Sequence, residues 1–264
     1  MEEAKIFLKK EIRKFKINKF NDTKDLIIKE SPLTLFVNGY QFLTLMILKE
    51  NLDEMITGFL AAEGVIKNRK DLIKIKFKQE QTVALVEVKG EFSPADYKKR
   101  TLTSGCGGGS TFINLKDCAE TQQIESKHYY QAEVFTDLMR QMQQNSDYFK
   151  KSGGTHTAAL ASAGKIIYQL EDIGRHNALD KVIGRALLKD LYLKDKIMLT
   201  SGRISSEMII KVLKQGIPFL VSHSAPTDAA LKIARDRNIT LIGFCRGSRF
   251  NIYSGEERVV LAQA

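Results

Sequence analysis

No stretch of this chain approaches the eighteen or so consecutive apolar residues that a membrane-spanning helix needs. The first residues, MEEAKIFLKKEIRKFK, are charged throughout and lack the apolar core of a secretory signal. These two absences lead to the expectation of a cytoplasmic protein with no membrane partner. Cysteine is scarce as well: Cys106, Cys118 and Cys245 are an odd number set far apart, which excludes a disulfide framework and leaves free thiols. No GxxxxGK[ST] loop occurs and no GxGxxG follows a strand, so an ordinary ATPase or dinucleotide dehydrogenase is disfavoured. Histidine is limited to four residues, none spaced as a zinc pair with another or with a cysteine. The H-x-E and P-C-x-x-C elements of zinc deaminases are also missing, and Ala158 stands where THTAAL would need its glutamate. No metal is expected.

What is present is enough for a substantial core: 264 residues, 43% of them hydrophobic. The charge balance, 41 Lys and Arg against 31 Asp and Glu, gives +10 and implies an acidic or phosphate-bearing partner. Much of the excess lies in Lys9 to Lys29 and Lys67 to Lys78, runs without aromatic interleaving, so a nucleic-acid partner is not expected.

Residues Lys5 to Ile28 mix charge with Ile and Phe irregularly and suggest only a strand or a frayed arm. From Leu33 the alternation runs into and out of Asn38-Gly39, a type I′ hairpin signal. Leu52, Met55, Ile56, Phe59 and Leu60 recur at helical spacing up to Gly64, and Ile73–Phe77 and Thr82–Val88 read as strands. The expected organisation is an N-terminal α+β domain over 1–102, a glycine-rich cysteine loop and linker over 103–125, and an α/β domain over 126–264. In the last, SGGTHTAALASAG reads as a glycine turn entering a small-residue helix. A strand, KIIYQLED, follows, and then a helix capped near Asn177.

Three strands, KIMLTS, IPFLVS and TLIGFC, then alternate with helices starting near Ser205 and Thr227. That alternation predicts a parallel sheet whose strand exits gather at one edge, the expected ligand site. The edge would collect Ser201, Gly202 and Arg203, then Ser222, His223 and Ser224, then Arg246, Gly247, Ser248 and Arg249. Helix N-termini add backbone donors there, making a phosphate cradle. His176, at a helix start in GRHN, is the histidine placed to touch a ligand, whereas Cys245, ending an apolar strand, reads as packing. The remaining feature is TSGCGGGS, Thr103 to Ser110, where Cys106 sits among glycines. Locally it is either a mobile glycine linker or a loop whose amides stabilise a reactive thiolate.

At EDIGRHNALDKVIG, TSGRISSEMIIKVLKQGIPFLVSHSAPTDAALKIA and ITLIGFCRGSRFNIYS the chain resembles the formate dehydrogenase accessory protein family, the FdhD sulfur carriers. GGTHTAAL, VNG and ITGFLAAEGVI fit the same family. The resemblance implies a cytidine deaminase-like three-layer α/β/α fold, with a mostly parallel sheet and no zinc. It implies a sulfurtransferase that takes sulfur from a cysteine desulfurase to the molybdenum cofactor, bis-molybdopterin guanine dinucleotide, for formate dehydrogenase, and a homodimer. In the family the persulfide forms on the first Cys of C-x-x-C, which is Cys106 here, and Phe244, Cys245, Arg246, Gly247, Ser248 and Arg249 match its cofactor-binding stretch. Arg203, His223, Ser222 and His176 complete the expected cofactor site. Two departures stand out. Gly109 replaces the second Cys, and Met46 to Asn51 lacks an arginine that the family tends to carry. The alternative to a sulfur carrier is therefore a non-catalytic cofactor-binding chaperone, with a deaminase-like hydrolase as a third reading.

Overall fold

The computed structural model describes residues 3–95 and 122–261. Cys106, Gly109 and Cys118, and with them most of the expected cysteine loop, lie outside the described residues. After a helical turn, α1 (Glu3–Ile6), the chain forms a long antiparallel pair, β1 (Phe7–Lys16) and β2 (Lys19–Ile28), joined at Ile17-Asn18. A four-stranded sheet follows, built of β3 (Ser31–Val37), β4 (Tyr40–Ile47), β5 (Leu72–Lys78) and β6 (Val83–Val88) in the order β4-β3-β6-β5. Asn38 and Gly39 both take positive φ, 47° and 87°, so the β3–β4 hairpin carries the expected I′ turn. The Asn38 amide also donates to Val88 O and Gly90 O and accepts from Val88 N, tying the turn to β6.

The amphipathic helix α2 (Leu52–Glu63) covers this sheet with Met55, Ile56, Phe59 and Leu60, packed on Leu33, Leu35, Ile47 and Val86. It ends where Gly64 adopts φ 79°. Beyond residue 122 a short strand, β7 (Tyr130–Gln131), leads into α3 (Ala132–Gln144) and α4 (Asp147–Ser152). The second sheet then contains β8 (His156–Ser162), β9 (Lys165–Asp172), β10 (Ile197–Thr200), β11 (Phe219–Ser222), β12 (Thr240–Arg246) and β13 (Arg249–Ser254), and β14 (Val259–Val260) returns to pair with β7. Helices α5 (Arg175–Leu188), α6 (Ser206–Lys214) and α7 (Asp228–Asp236) connect its strands.

The sheet order is β13-β12-β11-β10-β8-β9. Only β10, β11 and β12 run parallel; β8, β9 and β13 are antiparallel to their neighbours. The sheet is therefore mixed, not mostly parallel. The expectation of a helix over THTAALAS also fails, because that run is β8. Its Ala158 and Leu160 pack under α5, while Ala159 and Ala161 pack under α3. A strand buried on both faces loses the period of two and reads as a continuous apolar run, which sequence alone cannot tell from a buried helix. The hairpin turn into β9 places Ala163 and Gly164 at φ 48° and 76°, the signal that makes the pair antiparallel. The layers are thus α3 on one face of the sheet and α5, α6 and α7 on the other.

The first half of the chain joins this stack through α2 and α5, which cross in backbone contact. A Cβ on Gly58 would lie 1.8 Å from Asp180 O, and one on Gly184 would lie 1.9 Å from Glu54 O. Around the crossing, Arg185 pairs with Glu54 at 2.8 Å and bonds Asn51 Oδ1 at 2.6 Å. Fully buried Lys181 pairs with Asp172 at 2.7 Å and donates to Leu48 O and Glu171 O. Gly58→Ala must push the two helices apart, so it should destabilise the protein by about 3 kcal/mol and lower the melting temperature by roughly 6–12 °C in thermal denaturation. An unchanged melting temperature would show that the helices do not meet at these glycines.

Candidate functional site

The strand exits of β10, β11 and β12 do gather at one edge, and main-chain bonds stitch them together. His223 N donates to Thr200 O, Ser222 Oγ to Gly202 O at 2.7 Å, and Ile204 N to Ala225 O. Phe244 N donates to Ser224 O and Arg246 Nε to His223 O at 2.9 Å. Because β8 is antiparallel to β10, its first residue, His156, joins the same edge: its Nδ1 lies 3.2 Å from Ser201 Oγ, which accepts from Thr157 N at 3.0 Å. The end of β9 adds Asp172, and α5 begins three residues later.

Three helices, α5, α6 and α7, start at this edge, with Gly174, Ser205 and Thr227 as their caps. Only Thr227 caps through its side chain, accepting from Ala230 N at 3.3 Å. Asn177 is not the cap expected of it. It lies inside the first turn, and its amide donates to Met46 O and Asp172 Oδ1, both at 2.9 Å, so it ties the β4 exit to the site. His176 Nε2 lies 2.9 Å from Glu207 Oε2 and 3.4 Å from Ser205 Oγ, joining the first turns of α5 and α6.

His156 and His223 differ from free imidazole. Burial, then the neighbouring Arg175 and His176, lower the His156 pKa, and only Asp172 opposes them. Burial and Arg246 lower that of His223. Both rings are therefore uncharged at neutral pH and can accept as well as donate.

The stretch Phe244–Arg249 divides. Phe244 sits at φ 50°, where a bulky residue is strained by about 1–3 kcal/mol, and is 39% exposed with the Arg246 guanidinium 5.6 Å from its ring centre. A bulge between Gly243 and Arg246 produces this presentation, and Gly243 is required because a Cβ there would approach Tyr253, Ser224 O and Pro226 within about 3 Å. Cys245 points the other way. Its thiol is buried, 3.5 Å from Phe135 O, and burial pushes its pKa up to about 12, so its side chain packs and does not face the edge. Gly247 and Ser248 form the β12–β13 turn and border a groove of about 530 Å³ against Glu133, Thr136, Asp137, Met139, Arg140 and Gln143 of α3. Arg203 and Arg249 are exposed.

A model of the FdhD/NarQ family matches residues 28–260. The chain belongs to the FdhD/NarQ family. Among relatives named sulfur carrier protein FdhD, that of Bacillus pumilus (strain SAFR-032) is 38% identical over 253 residues, covering 95% of this chain and 97% of its own. That of Bacillus subtilis (strain 168) is 36% identical, covering 97% and 98%. A crystal structure of a proposed formate dehydrogenase accessory protein from Desulfotalea psychrophila superposes with a TM-score of 0.80 at 22% identity, over 97% of this chain and all of that one. It shares the fold.

Within this family member, sequence reasoning missed His156, Asp172, Arg175 and Glu207. Arg175 is 9% exposed and packs against Gly202, where a Cβ would lie 2.8 Å from Arg175 Cβ. Its Nε and Glu207 Oε1 are buried without hydrogen-bond partners among the described residues. The available signal was a charged residue in each of two successive helix starts. No group of three potential metal ligands occurs among the described residues.

The lowered His156 and His223 pKa values set a pH dependence. A histidine whose folded pKa lies below the unfolded value of about 6.5 gives stability that is complete above that value and is lost as pH falls through the window down to the folded pKa. The urea midpoint should therefore drop between pH 7.5 and pH 5.5, and should drop less in His156→Gln. Parallel profiles for the two proteins would contradict this assignment.

Proposed function

We propose that this protein is a sulfur carrier in formate dehydrogenase maturation, working in the cytoplasm as a homodimer. Cys106 would accept sulfur from a cysteine desulfurase and hold it for the molybdenum cofactor. The reading rests on family membership, on relatives named sulfur carriers, and on the Cys106 glycine loop.

The single observation that carries the cofactor part is Phe244, held at φ 50° and exposed beneath Arg246 at an edge where three helices begin. Strain of that kind persists only where the surroundings over-determine it, and it gathers at ligand sites. The donor set fits the guanine dinucleotide. Helix N-termini with Arg175, whose buried Nε lacks a partner among the described residues, suit the diphosphate. The Phe244 ring and Arg246 plane suit a purine, and His223, His176 and Arg203 border the same edge, whereas Ser222, expected in the cofactor site, is fully buried with its hydroxyl bonded to Gly202 O and Ser224 N and braces the loop. When bound, the cofactor supplies the molybdenum that receives the sulfur.

The chemistry of loading needs one nucleophile. The Cys106 thiolate attacks the terminal sulfur of the desulfurase persulfide; a new S–S bond forms on Cys106, the old one breaks, and the desulfurase cysteine leaves as thiolate. No net oxidation occurs, so Gly109 in place of a second thiol does not prevent loading. It removes an internal thiol that would expel the sulfur by closing a disulfide. That substitution is what favours the second reading, a cofactor-binding chaperone that has lost sulfur transfer.

Incubation with a desulfurase and sulfur-labelled cysteine should place label on the wild-type protein and none on Cys106→Ala. Guanosine diphosphate should bind both proteins alike, and Phe244→Ala or Arg246→Ala should weaken it about tenfold. Absence of label with nucleotide binding retained would replace the carrier by the chaperone. Absence of both would overturn the whole reading.

A further inference from the structure

A buried acid stands at an edge that is otherwise positive. Three helix N-termini open there beside Arg175, Arg203 and Arg246, an arrangement that attracts phosphate. Glu207, in the first turn of α6, opposes that attraction. An acid is favoured at a helix start, but one that serves only the helix sits in water. The Glu207 side chain is 2% exposed, and its Oε1 has no hydrogen-bond partner among the described residues. Burying a carboxylate with one oxygen unbonded costs the fold free energy.

The other oxygen, Oε2, lies 2.9 Å from His176 Nε2. A nitrogen lone pair would repel a carboxylate oxygen at that distance, so Nε2 is the nitrogen that carries the proton. Ser205 Oγ, 3.4 Å from the same nitrogen, lies on that side of the ring too. Nδ1 is left without a hydrogen-bond partner among the described residues. Among these residues His176 is also the one histidine with a carboxylate at ion-pair distance.

One turn deeper, a second pair repeats the contact with the charges exchanged. Lys211 donates to both oxygens of Asp180, at 2.7 and 2.5 Å, and the two side chains are 2% and 1% exposed. His176 and Asp180 are one turn apart on α5, as are Glu207 and Lys211 on α6, so each helix presents both of its members on one face. The Phe59 ring of α2, 5.6 Å from Lys211 Nζ, closes over the deeper pair. Helices pinned one turn below cannot slide, and Glu207 stays against the ring. An apolar pair would hold two helices together equally well. It would not fix which imidazole nitrogen is left free.

We propose, resting on the nucleotide reading above, that Glu207 is a positioning residue: it holds the His176 ring by Nε2 and leaves Nδ1 to accept from a sugar hydroxyl of the bound guanosine nucleotide. With the purine at Phe244 and Arg246 and the diphosphate at Arg175, the sugar lies between them, and its hydroxyls need an acceptor. His176 follows Arg175 in the first turn of α5, beside that span.

Calorimetry compares guanosine diphosphate with its 2′,3′-dideoxy analogue. The wild type should bind the diphosphate about tenfold more tightly than the analogue. His176→Phe and Glu207→Leu should each bring the two ligands to equal affinity. The double variant should bind no more weakly than His176→Phe alone, since Glu207 acts through the ring. Glu207→Gln keeps an oxygen for the Nε2 proton and should hold the preference to within about threefold of the wild type. The melting temperature of Glu207→Leu should be unchanged or raised, because a half-bonded buried acid is removed. In the wild type, where no variant has to fold, nitrogen NMR should show Nε2 protonated and the Nδ1 resonance moved by guanosine diphosphate but not by the analogue. A preference that survives in His176→Phe, additive losses in the double variant, weaker binding that tracks a lowered melting temperature, or an unmoved Nδ1 resonance overturns the positioning role. A wild type that binds neither ligand overturns the nucleotide reading and this role with it, whereas equal binding of both ligands overturns the role alone.

Discussion

The structure depends on a contact between two glycines. Gly58 and Gly184 let the backbones of α2 and α5 touch, and any side chain at either position would occupy the space of a carbonyl oxygen. That approach carries the exit of β4 to the start of α5. Asp172 there accepts from Leu48 N, Gly174 N, Asn177 and Lys181, so all its bonding capacity is used inside the protein. The Met46–Asn51 segment, which lacks the arginine expected from family resemblance, supplies Met46 O, Leu48 N and O, and Asn51 Oδ1 to this network. Its work in the fold is to fix where α5 begins, and with it where Arg175 and His176 sit.

From that fixed start the sheet edge takes its character. Arg175 leans on Gly202, His176 reaches Glu207 across to α6, and His156 reaches Ser201, so three elements share one surface. Two rings kept uncharged by burial stand near two arginines. The bulge in β12 adds a strained aromatic residue and turns Cys245 inward, where its thiol is inert. The thiol left for chemistry by this arrangement is not the one on the strand. No described helix is long and apolar enough to cross a membrane.

Much of this was legible in the residues. Asn38-Gly39, the α2 periodicity, and the run from β10 to β12 stated themselves, because each pairs a one-sided burial pattern with a turn or cap that permits one conformation. The gathering of Ser201, Ser222, His223 and Arg246 followed from the parallel alternation. What escaped had lost its periodicity. Strand β8 is covered on both faces, and the β1–β2 arm is covered on almost neither, so neither shows an apolar stripe. The antiparallel direction of β9, itself legible as a strand, escaped because Ala163-Gly164 is a weaker turn signal than Asn-Gly. The His156, Arg175 and Glu207 contacts are tertiary, made across elements far apart in sequence, and no local pattern encodes them.

The central claim is that the edge at β10, β11 and β12 receives the nucleotide end of a cofactor. Hydrogen exchange with and without guanosine diphosphate tests it most directly. Slowed exchange in residues 175–177, 201–206, 223–228 and 244–246, with β3 to β6 unchanged, is the predicted result. Slowing confined to residues 123–128 and 192–194, which line a separate groove of about 560 Å³, would contradict it.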